Sequence, residues 1–124
     1  MPSRKVLCIS FDRVVSDSRC SSLRGAGYDV TASTNIDEAM DFLSRDRFDV
    51  VILGHRFSKD EKYLVAAQAK EKLNTSVVLV CGATPESEVP ATSRVYALEG
   101  NAGLLSALSR LFSAKADDRP QAAA

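Results

Sequence analysis

Apolar residues in this chain fall into short unbroken runs, separated by segments whose apolar positions recur at helical spacing. The central run is Phe48-Asp49-Val50-Val51-Ile52-Leu53, which stops abruptly at Gly54-His55-Arg56-Phe57. A run of this length without alternation suits a parallel strand covered on both faces by helices. Ser76-Val77-Val78-Leu79-Val80-Cys81 has the same character and stops at Gly82, and Lys5-Val6-Leu7-Cys8-Ile9 opens the chain with a first strand that turns at residues 10–12. Tyr28-Asp29-Val30-Thr31-Ala32 alternates like a half-buried strand, and Arg94-Val95-Tyr96-Ala97-Leu98 reads as a short last one.

Between the strands the period changes. Ile36, Ala39, Met40 and Leu43 stand at i, i+3, i+4 and i+7, which predicts a helix over 36–46 with Asn35 and Glu38 as its N-terminal cap. A serine-rich helix is predicted over 13–26 with Val15, Cys20 and Leu23 inward, stopped at Gly25-Ala26-Gly27. A third is predicted over 59–73, packing through Leu64, Ala66, Ala69 and Leu73. Asn101 is expected to cap the last helix, whose stripe is Leu104, Leu105, Leu108, Leu111 and Phe112. Residues 82–93 include Pro85 and Pro90 and have no apolar periodicity, so they are expected to form a loop with at most one helical turn. The order β-α-β-α-β-α-β-loop-β-α implies an α/β chain with a parallel sheet between two helical layers. The expected fold is flavodoxin-like, order 2-1-3-4-5, with the helix between strands four and five shortened or missing. One domain is expected over 1–113, and the small polar tail 114–124 is expected to be disordered.

Sixteen basic and sixteen acidic residues give a formal net charge of zero, which argues against a nucleic-acid-binding module. No apolar stretch approaches the ~20 residues of a bilayer span, and the N-terminal residues lack a signal peptide's long apolar segment. No membrane association and a cytoplasmic location are therefore expected. Cys8, Cys20 and Cys81 show no CxxC spacing, so neither a disulfide framework nor a zinc site is indicated.

From about 4 to 112 the chain resembles a CheY-like response-regulator receiver domain. The features that carry the resemblance are Val6-Leu7-Cys8-Ile9, Gly27-Tyr28-Asp29-Val30, Ala39-Met40-Asp41-Phe42-Leu43, the run 48–53 and the Leu-rich last helix. The resemblance places the family's acidic pair at Ser10 and Phe11, beside Asp12. It places the phosphoacceptor aspartate at Gly54 and the hydroxyl residue at Cys81. The family's lysine falls at Glu99, or at Ala97 with a different gap, because no lysine lies between Lys72 and Lys115. Without an accepting carboxylate, a set of oxygen ligands for Mg²⁺ or a lysine, phosphoryl transfer has no chemical basis here. The resemblance therefore implies a degenerate receiver, a pseudo-receiver lacking the phosphoacceptor. Such a module is expected to act in signalling by protein–protein contact, with no catalytic residue, metal or cofactor.

Two other classes compete with that reading. Cys81 activated by His55 could serve a small thiol-dependent enzyme or hydrolase. The edge at Gly54, His55 and Arg56 could instead bind a small anion. Tyr96 is expected in the core or at an interface. Because the connection 82–93 lacks a helix, a partner or a second copy is expected to cover apolar surface at Val95, Leu98, Leu105 and Leu108.

Overall fold

The computed structural model describes residues 4–72, 75–84 and 86–117. Five strands, β1 (Lys5–Ile9), β2 (Asp29–Ser33), β3 (Val50–Leu53), β4 (Ser76–Cys81) and β5 (Ser93–Tyr96), form one parallel sheet in the order β2-β1-β3-β4-β5. The helices are α1 (Arg13–Gly25), α2 (Ile36–Arg45), α3 (Lys59–Lys70) and α4 (Gly100–Asp117), with a 3₁₀ turn at Ala97–Glu99.

Strand alternation sorts the apolar runs into two cores. Leu7, Ile9, Val51, Leu53, Val77 and Leu79 face α2 and α3, whereas Val6, Cys8, Val50, Ile52, Val78 and Val80 face α1 and α4. This is the three-layer flavodoxin-like arrangement, and no helix forms between β4 and β5 among the described residues. Asn35 caps α2, its side-chain oxygen accepting the Glu38 N–H at 2.7 Å, and Gly27 takes a φ of +95° just past α1.

Several expectations need correcting. The buried face of α3 is Lys62, Val65, Ala66 and Ala69; Leu64 points outward, and Leu73 lies outside the described residues. Asn101 does not cap α4. It lies inside the helix, and its amide donates to Ser18 Oγ and Ser22 Oγ, both at 3.0 Å, tying α4 to α1. Helix α4 also runs through residues 114–117, expected to be disordered; residues 118–124 lie outside those described.

The proposed apolar interface changes most. Val95 and Leu108 are buried in the chain's own core because α4 packs over that face of β5, and Leu105 is half-buried there. Leu98, in the 3₁₀ turn, is 98% exposed. On the other face of β5, where a helix is absent, the strand presents Arg94 and Tyr96 in place of aliphatic residues. The 82–92 connection folds toward α3, burying Val89 and joining Glu88 to Lys59 at 2.8 Å.

Candidate functional site

The carboxyl ends of β1 and β3 lie side by side, with Ile9 paired to Leu53, so the residues that follow each strand converge on one spot. After β1, Ser10 is buried and its N–H donates to Ser33 O at 3.0 Å. Phe11 is 59% exposed, its ring edge-on to Phe57 at 5.8 Å between centroids. Asp12 is the N-cap of α1: its Oδ1 accepts from the Val14 and Val15 N–H groups at 2.7 and 3.2 Å.

After β3, the Gly54 N–H donates to Ile9 O at 2.8 Å, which holds the backbone against β1. A Cβ at this position would lie 3.1 Å from Ile9 O and 3.5 Å from Arg19 Nη1. A side chain at this position would thus stand tight against Ile9 O and in van der Waals contact with the Arg19 guanidinium. Arg19 reaches in from α1, only 9% exposed, and its Nη1 donates to Ser10 Oγ at 3.0 Å. Among the described residues no carboxylate pairs with it. Burial lowers its pKa from the ordinary arginine value.

His55 is half-buried against Gly82, and its Nδ1 is fully enclosed without a hydrogen-bond partner. Its pKa is lowered by burial and then by the charges of Arg19, Lys62 and Arg56. Arg56 is exposed, with Cζ 6.0 Å from the centre of the Phe11 ring.

The other expected site residues lie apart from this cluster or do other work. Cys81 is fully buried and its Sγ is 3.9 Å from Leu79 O; burial and Glu86 raise its pKa. The partnerless Nδ1 makes no bond to it, so the activated thiol–imidazole pair of the enzyme reading does not form through that atom. Glu99 turns back on its own chain, where its Oε2 accepts the Tyr96 N–H at 2.8 Å. Tyr96 is 41% exposed, outside the core. Cys8 and Cys20 are buried, and the neighbouring Cys8 thiol lowers the Cys20 pKa from its ordinary value.

A divalent cation does not fit these residues. The Ser10 hydroxyl is engaged by Arg19, the Asp12 carboxylate serves the α1 N-terminus, and a guanidinium is already buried beside the residues that follow β1 and β3. No group of three or more His, Cys, Asp or Glu side chains among the described residues is placed to hold a metal. Arg19 and Lys62 were missed by sequence reasoning. Each is a long cation at a helical position that burial statistics assign to solvent, and only the register of α1 with its Cys20 and Leu23 face points to the first.

Comparison with known proteins places this geometry on a familiar scaffold. No protein-family profile matches the sequence, and no curated protein matches it. Solved structures do. A CheY-like response regulator receiver domain protein from Methanospirillum hungatei aligns with a TM-score of 0.83 at 14% identity, covering 95% of this chain and 100% of its own. The fold is that of receiver domains. Chemotaxis protein CheY4 of Vibrio cholerae aligns with a TM-score of 0.73 at 22% identity, over 88% of this chain and 98% of its own. The receiver domain of sensor histidine kinase PA1611 from Pseudomonas aeruginosa, which holds a magnesium ion in its active-site cleft, gives a TM-score of 0.74 at 16% identity, with 88% and 97% covered.

Proposed function

We propose that this chain is a degenerate receiver, a pseudo-receiver that serves signal transduction by contact with a protein partner and without phosphorylation. The observation that carries this reading is the placement of Arg19 Nη1 over Gly54, 3.5 Å from where a Cβ would stand. A receiver fold with a buried cation in place of the accepting carboxylate keeps the scaffold and gives up the nucleophile. Balanced charge favours a protein over a nucleic acid as the partner. A cytoplasmic site of action belongs to the same proposal, in keeping with the absence of any membrane-crossing helix among the described residues.

On this reading the contact surface is the carboxyl edge of the sheet. Phe11, Val14 and Leu98 are 59%, 77% and 98% exposed, and a groove of about 400 Å³ runs between α1 and the start of α4, lined by Val14, Val15 and Ala97. The deciding experiment treats the protein with acetyl phosphate and Mg²⁺ and measures its intact mass. No phosphoryl adduct is expected, and an acid-labile adduct on Asp12 would overturn the reading.

A further inference from the structure

Arg19 carries a full charge into a nearly closed site, where its one protein acceptor is a neutral hydroxyl, Ser10 Oγ at 3.0 Å. A buried guanidinium normally has an anionic partner, because an uncompensated charge away from water is costly. Here none of the described carboxylates supplies it. The ring of His55 borders the same place. Between them lies a cavity of about 20 Å³, lined by Ser10, Gly54, Arg19 and His55, with Phe11 and Arg56 among the residues at its edge. That volume admits one oxygen-sized group. Asp12 also borders the cavity, but its Oδ1 is turned to the N–H groups of Val14 and Val15.

We propose that this cavity binds one oxygen of a phosphate-type oxyanion, with Arg19 as its fixed counter-charge and the His55 ring as part of its wall. The remaining oxygens face the mouth, within reach of the Arg56 side chain. Charge-assisted bonds from a guanidinium to phosphate are short and strong, and a glycine at position 54 leaves the approach free of any side chain. The wider groove toward Ala97 and Asn101 shares Val15, Arg19 and His55 with the cavity, so an organic substituent on the phosphate has a path out. This ligand site opens into the same groove as the partner contact proposed above, and the titration below reads the ligand alone.

The test is a ¹H–¹⁵N NMR titration of the whole chain with inorganic phosphate at constant ionic strength, following backbone amides, Arg Nε–H groups and the His55 ring. Saturable shifts confined to Ser10, Gly54, His55 and the Arg19 side chain are expected. Arg19→Met, which keeps the stem of the side chain, is expected to weaken binding at least about tenfold. His55→Ala, at a half-exposed position, is expected to weaken it several-fold and guards against a folding defect in the first variant. A parallel titration with phenyl phosphate separates the sources. Tighter binding than inorganic phosphate assigns the site to a phosphomonoester, and weaker binding assigns it to the free anion. Linear shifts spread over surface arginines, or saturable binding unchanged in both variants, would overturn the proposal.

Discussion

Lys62 Nζ lies 2.7 and 2.8 Å from the two carboxylate oxygens of Glu86, and this pair is sealed from solvent, with 3% and 11% of the side chains exposed. It fastens the connection after β4 to α3. Glu86 is the one described non-glycine residue with a positive φ, 47°, so the pair also holds the loop in a conformation that side chains disfavour. Lys62→Ala leaves the carboxylate buried and alone, which costs about 3–5 kcal/mol. The double variant Lys62→Met/Glu86→Gln is expected to recover a good part of that loss. Urea unfolding of the four members of the cycle measures both.

Restoring the acidic residue does not restore chemistry. In Gly54→Asp the new carboxylate enters beside the Arg19 guanidinium, which pairs with it and displaces any metal from the same space. Intact mass after treatment with acetyl phosphate and Mg²⁺ is expected to show no adduct. Stable phosphorylation of this single variant would mean that Arg19 moves aside readily.

The lowered pKa of His55 makes stability depend on pH. Burial and the nearby cations disfavour the charged ring in the fold, so the unfolded chain, with an ordinary value of 6.5, binds the proton more tightly. His55 therefore contributes stability that is fully present above 6.5 and is lost as pH falls through the lower folded value. Melting temperatures from pH 8 down to pH 5 should fall more steeply for the wild type than for His55→Asn. Parallel curves would show that His55 adds nothing in this window.

Cys81 is expected to be slow toward alkylation. Its thiol is buried with a raised pKa, so iodoacetamide at pH 7 should label it no faster than an ordinary thiol, and His55→Ala should leave the rate unchanged. Peptide mass mapping of timed samples reads the rate at each cysteine.

Asn101→Ala removes the amide that reaches two serines of α1. Two neutral, partly exposed hydrogen bonds contribute about 1 kcal/mol each at most, so a loss of about 1–2 kcal/mol is expected without a change of fold. Thermal unfolding followed by circular dichroism measures it.

The sheet and its order were legible because each strand is a run of β-branched or aliphatic residues ending at a turn, with Ile36, Ala39 and Leu43 marking α2 equally clearly. Serines 18 and 22 read as poor helix residues, yet they receive Asn101 from across the helix pair. The phase of α3 was misjudged because Lys62 occupies a buried position and Leu64 an exposed one, the reverse of what side-chain polarity suggests. Gly54 and the missing carboxylates were plain in the sequence. What stands beside that position was not, since Arg19 lies 35 residues before Gly54 and only the packing of α1 on β1 brings them together.

A cation rooted in a peptide chain behaves unlike one drawn from solution. Arg19 cannot be chelated, diluted or exchanged, and a guanidinium keeps its charge in proteins. The positive charge at this end of the sheet therefore does not depend on the supply of free Mg²⁺. A pseudo-receiver of the kind proposed above carries its message by how much protein is present and what it is holding, with no labile group whose lifetime acts as a clock.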